Sequence, residues 1–128
     1  MARTRVFISF DYDHDQDLKN LLVGQAKNPD SPFEIADWSV KEASGDWKED
    51  ARRRILRAEQ VAVICGEHAD TATGVNIEIR LARAEKKPYF LLAGRAEGKN
   101  RKPTAALPSD RMYTWTWANL KTLIAGGR

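Results

Sequence analysis

Cysteine is nearly absent from this chain. A single one, Cys65, stands among 128 residues, so no internal disulfide can form and a reducing compartment is expected. No apolar run nears the roughly 20 residues that a helix needs to cross a bilayer. The start, Met-Ala-Arg-Thr-Arg, leads straight into a strand-like run and leaves no room for the apolar centre of a signal peptide. The expectation is a cytoplasmic chain with no membrane partner. Phosphate-binding glycine loops are missing as well. Neither G-x-x-x-x-G-K nor G-x-G-x-x-G occurs, which removes the P-loop and the dinucleotide fingerprint. Histidines number two, His14 and His68, and Cys65-Gly66-Glu67-His68 has no second ligand pair, so no metal site is expected. Net charge is only +3, which tolerates an anionic ligand without demanding nucleic acid. The loop from Arg95 to Lys102 holds four basic residues and one acidic residue. No aromatic residue is interleaved there, so a base-stacking platform is lacking. It reads as a solvated loop, with a partner contact or a phosphate screen as the alternatives.

What is present suffices for a core. Hydrophobic residues make up 42% of the chain, and the length argues for one domain over residues 1–128. Val6 to Phe10 is strand-like and stops against Asp11, Asp13 and Asp15. Helical spacing follows from Asp13 to Gln25, with Leu18, Leu21, Leu22 and Gln25 on one face, and Asp13 with Gln16 forms a capping-box pattern. Phe33 to Trp38 reads as a second strand. After the Ser44-Gly45-Asp46 turn comes a helix with Trp47, Ala51, Ile55 and Ala58 inward. It has a second capping-box pattern at Asp46 and Glu49, and four-apart pairs from Glu49 to Arg53 and from Asp50 to Arg54. Gln60 to Cys65 is an apolar, β-branched run of the kind covered on both faces. A helix from Val75 to Glu85, a strand from Pro88 to Ala93, a loop from Gly94 to Pro108, a short edge strand at Tyr113 to Thr116 and a helix from Trp117 to Ile124 complete the chain. Alternating strands and helices predict a flavodoxin-like α/β fold in three layers: a parallel sheet of about five strands with helices on both faces.

Such sheets bind ligands beyond the carboxyl ends of their strands, where strand order reverses. Ser9, Phe10, Asp11 and Asp13 follow the first strand, Asp37, Trp38 and Ser39 the second, and Cys65 to His68 the third. Asp13 is accounted for by capping, Asp11 less easily. A receiver-type phosphoacceptor needs an aspartate at the end of the third strand, where this chain has Cys65 and Gly66, so that function is excluded. Cys65 suits a packed strand end; a Cys65–His68 hydrolase is the alternative. Glu78 falls in the first turn of its helix, on the edge of the buried stripe. It can be a site carboxylate or simply an acid that suits the helix dipole.

Three stretches taken in order, "RVFISFDYDHD", "ADWS" and "WKEDARRRILRAEQVAVICGEHADTATGVNIEIRLA", resemble the TIR-like proteins, and most closely the small bacterial branch that includes the anti-phage Thoeris TIR proteins. The resemblance covers about residues 5 to 94. It implies cleavage of NAD+ at the nicotinamide–ribose bond, with NAD+ as substrate and no cofactor, and with Glu78 in the place of the family's glutamate. The product implied is ADP-ribose or a cyclised or rearranged signal that reaches a separate effector protein. Around Glu78, Phe10 would form an apolar wall, and Ser9, Asp11 and Asp37 would supply hydrogen bonds. Trp38 would stack on a base or be core, and His68 would touch a phosphate or ribose. Members commonly carry a tryptophan shortly before the glutamate; Gly74 or Val75 stands there in this chain. The rival implication is a non-catalytic module that works by TIR–TIR self-association.

Overall fold

The computed structural model describes residues 3–41 and 45–127. The elements are β1 (Thr4–Ser9), α1 (Gln16–Ala26), β2 (Phe33–Trp38), α2 (Trp47–Leu56), β3 (Gln60–Cys65), α3 (Thr73–Ala84), β4 (Tyr89–Ala93), β5 (Met112–Thr114) and α4 (Trp117–Ile124). Ser44, part of the predicted turn before α2, lies outside the described residues. The strands pair in parallel in the order β2-β1-β3-β4-β5. The chain steps outward from β1 to β2, then crosses back to β3 on the other side of β1. The reversal therefore lies between β1 and β3, at the centre of the sheet.

Period-two alternation sorts side chains to the two faces. Phe7, Val61, Val63, Cys65 and Leu91 face α2 and α3, where they meet Trp47, Ala51, Ile55, Val75 and Ile79. Val6, Ile8, Ala62, Ile64, Phe90 and Leu92 face the other way, onto Leu18 and Leu22 of α1 and Leu120 and Leu123 of α4. This is the predicted flavodoxin-like fold. β3 is buried along its whole length, as its continuous apolar run requires. Among the described residues, no helix is long and apolar enough to cross a membrane.

Local departures from the sequence reading have identifiable causes. The predicted cap at Asp13 does not form. The Asp11 carboxylate accepts the Asp13 N–H at 3.1 Å, and the Asp11 carbonyl accepts the N–H groups of His14 and Asp15. That extra turn delays α1 to Gln16, with Asp15 at the cap position and no side-chain cap bond. At α2 the Asp46–Glu49 box is also unmade, because Glu49 is drawn to Arg52 at 2.6 Å. The four-apart pairs do form, Asp50–Arg54 at 2.9 Å and Glu49–Arg53 more loosely at 3.9 Å. Leu21, predicted to point inward, is 55% exposed, and Ala26 completes the buried stripe instead.

Candidate functional site

A cleft of about 290 Å³ opens at the carboxyl ends of β1 and β3, at the strand-order reversal. Three segments meet there. The β1–α1 turn contributes residues 10–14, the start of the β2–α2 loop contributes residues 39–41, and the approach to α3 contributes residues 71–75. Trp47 and His68 complete the lining. The N-cap of α3 is Ala72, which offers no side-chain cap, so the open end of that helix faces the cleft uncapped.

Glu78 lies beneath this cleft and not on its surface. It is the sixth residue of α3 and only 1% exposed. Its Oε1 accepts two hydrogen bonds, from Ser9 Oγ at 2.7 Å and from Ser39 Oγ at 2.6 Å. Ser9 is the last residue of β1, and Ser39 directly follows β2. Ser39 is itself held by its N–H on the Ile8 carbonyl at 2.9 Å and accepts the Phe10 N–H at 3.1 Å. One carboxylate oxygen thus joins β1, the end of β2 and α3. Glu78 stands in the second turn, and no acid occupies the first. That corrects the placement read from the sequence, and it removes the helix-dipole account of this residue, which falls off beyond the first turn.

The other predicted site residues divide. Ser9 touches Glu78. Phe10 and Asp11 line the cleft, both largely buried, and His68 lines it as well. Asp37 and Trp38 are not brought to it. The Asp37 carboxylate is turned to Arg54 of α2 at 3.0 Å, and Trp38, 38% exposed, lies under the Lys19 ammonium of α1 at 4.5 Å. β2 is an edge strand whose last residues diverge to opposite helices, and Ser39, just past them, reaches Glu78.

Sequence reasoning missed His14. Its Nδ1 lies 2.7 Å from Asp11 Oδ2, and its ring stacks on His68 with centroids 4.0 Å apart. The hydrogen bond from the His14 ring to the Asp11 carboxylate, with Asp13 and Asp15 nearby, raises the His14 pKa above its ordinary value. The three-residue spacing from Asp11 to His14 was the available signal. Trp47 was read as core, and it does belong to the core. Its indole N–H also donates to the Val40 carbonyl at 3.0 Å, and its ring edge borders the cleft. A Cβ placed on Gly74 would stand 3.5 Å from that ring. Trp47 therefore abuts Gly74, one of the two positions at which the resemblance leads one to expect a tryptophan.

Cys65 is fully buried, and burial pushes its thiol up to about 12. Such a group stays a thiol at neutral pH and cannot serve as a nucleophile. The residue packs a strand end, as the simpler reading had it, and the hydrolase alternative loses its nucleophile. Among the described residues, no cluster of three or more His, Cys, Asp or Glu side chains could hold a metal.

Comparison with known proteins agrees with this architecture. No curated protein matches the chain. A solved structure described as the crystal structure of a prokaryotic SEFIR domain superposes with a TM-score of 0.55 at 20% identity, covering 95% of this chain and 96% of that one. At that identity the likeness speaks to the fold alone. Residues 7–99 match the family described as Thoeris protein ThsB, TIR-like domain. That match spans most of the chain, including the cleft and Glu78, and the chain belongs to the Thoeris ThsB family of TIR-like domains.

Proposed function

We propose that this chain cleaves NAD+ at the nicotinamide–ribose bond and releases ADP-ribose or a cyclised or rearranged form of it, as a signal in anti-phage defence. One observation carries the reading. In a Thoeris-type TIR-like domain, a buried carboxylate held by two serine hydroxyls sits directly beneath a cleft at the strand-order reversal. Departure of neutral nicotinamide leaves a ribosyl cation, and a fixed negative charge nearby lowers its energy most where water is excluded. Glu78 supplies the charge and Ser39 the contact. The Ser39 proton goes to Glu78, and its oxygen, which already accepts the Phe10 N–H, has one lone pair left to accept from a ribose hydroxyl. The leaving group is already cationic, so no general acid is required. Phe10 and the Trp47 ring beside Gly74 give apolar walls for the nicotinamide. Lys41 and the threonines at 71 and 73 offer donors for the phosphate on the nicotinamide side.

The test is incubation with NAD+ followed by mass spectrometry, comparing the native chain with Glu78→Gln. Nicotinamide release should fall by about 10²–10³, the usual effect of removing one electrostatic group of this type. Equal turnover by both proteins would end the reading. A second reading, a non-catalytic module that acts by association with other TIR-like domains, is favoured by the burial of Glu78 away from the cleft surface. It predicts no nicotinamide release from the native chain at any protein concentration.

A further inference from the structure

The cleft above Glu78 has a neighbour. A shallower hollow of about 360 Å³ adjoins it, bordered by Glu67, His68, Asp70, Thr71, Lys99 and Arg101. His68 and Thr71 line both hollows, so the two form one groove, with the His14–His68 stack at the divide. Pockets for drug-sized ligands run from about 300 to 1,000 Å³. A dinucleotide is larger than most such ligands, and a cleft of about 290 Å³ has room for only its reactive half. The remainder must lie in a continuation of the groove.

The chemistry of the second hollow suits that remainder. Lys99 and Arg101 belong to the basic loop, whose role the sequence left open. Arg101 is anchored by its backbone, its N–H donating to the Gly66 carbonyl at 2.9 Å. Its guanidinium is 61% exposed and only loosely paired with Asp70 at 3.7 Å, so it can turn to a ligand. Asp70 is fixed from behind, its carbonyl accepting from Asn76 and Thr104. The hollow is therefore balanced: two cations suited to phosphate oxygens and two carboxylates suited to the hydroxyls of a ribose. A bare phosphate or a polyanion would be repelled by Glu67 and Asp70; a nucleoside phosphate uses all four groups.

We propose that this hollow is the subsite for the adenosine-phosphate half of the dinucleotide, with Lys99 and Arg101 on the phosphate and Glu67 and Asp70 on the ribose. The inference rests on the NAD+ reading of the first cleft, and two measurements separate the two. The first is an NMR titration of the native chain with 5′-AMP. Amides at 67–71 and 99–101 should shift, and Arg101→Ala should weaken that binding about tenfold, the loss of one charge-assisted contact. The second is turnover, where Arg101→Ala should lower kcat/KM for NAD+ relative to nicotinamide mononucleotide by a similar factor. Shifts confined to other residues, or affinity and ratio both unmoved by the substitution, overturn the subsite. A native chain without turnover that still binds 5′-AMP at these residues retires the catalysis and keeps the subsite. Turnover with 5′-AMP bound elsewhere does the reverse.

Discussion

Asp15 is the most exacting group in the molecule outside the cleft. It is 2% exposed, and its Oδ2 has no hydrogen-bond partner among the described residues. Its Oδ1 accepts from Arg95 at 3.1 Å, and the same guanidinium binds Asp17 at 2.6 Å and the His14 carbonyl at 3.1 Å. Burial raises the Asp15 pKa, and Arg95 opposes that shift. Arg95→Ala would leave a buried carboxylate with no cation. Breaking one partner of a buried pair costs about 3–5 kcal/mol. Arg95 is one-third exposed, so water entering the vacated space should reduce this to about 2–3 kcal/mol at neutral pH. The lost bond to the His14 carbonyl adds roughly 1 kcal/mol, and the exposed Asp17 pair adds little.

The pH dependence fixes the sign. A carboxyl whose folded pKa is raised contributes its full stability below its unfolded value and loses it as pH rises through the folded value. Removing Arg95 raises the folded value further. The gap between native and Arg95→Ala protein, read from urea unfolding, should therefore be widest near neutral pH and narrow in acid as Asp15 takes up a proton. In an Asp15→Asn background the same arginine deletion should cost only about 1 kcal/mol and lose most of its pH dependence. Additive effects of the two substitutions, or a gap that widens in acid, would refute this account of Asp15.

The same corner yields a steric prediction. A Cβ on Gly66 would stand 2.3 Å from Asp15 Oδ2, so Gly66→Ala must displace the carboxylate; it should destabilise by about 1–3 kcal/mol in urea unfolding, and less in an Asp15→Gly background. For the imidazole at the cleft, an NMR titration of native protein should place the His14 midpoint above its ordinary value, because Asp11 stabilises the charged ring. Asp11→Asn should bring it down, and an unchanged midpoint would show that the hydrogen bond at 2.7 Å is not what shifts it.

The layered fold was legible because each strand carries its own burial code. The unbroken apolar run of β3 announces a central strand, and Trp47, Ala51 and Ile55 announce a one-sided helix. The switch point followed from the element order, and with it the neighbourhood of Ser9, Phe10 and His68. What the sequence could not show were competitions between local and long-range partners. Asp13 matched a capping pattern, but Asp11 offered its N–H a nearer acceptor. Asp37 stood at the right strand end, yet Arg54 was within reach and took its carboxylate. Asp15 and Arg95 are 80 residues apart, and nothing local to either predicts their meeting.

Glu78 shows why the fold and the candidate chemistry cannot be separated in this chain. Both of its serine partners come from strand ends, one from β1 and one from just past β2, while the carboxylate arrives on a helix that follows β3. The crossing from β2 back to β3 is what brings these three together. A buried acid with two committed donors rigidifies that junction whether or not it acts on a substrate, since losing either donor would expose it to a desolvation cost of about 1–3 kcal/mol. A drop in turnover from Glu78→Gln alone therefore does not separate charge from structure; Ser39→Ala supplies the comparison. If Glu78 acts only by holding the junction, the two substitutions should cost similar stability and similar turnover. If its charge steadies the ribosyl cation through Ser39, Glu78→Gln, which keeps the shape and an acceptor oxygen, should lose far more turnover than stability, and that disproportion is the signature to measure.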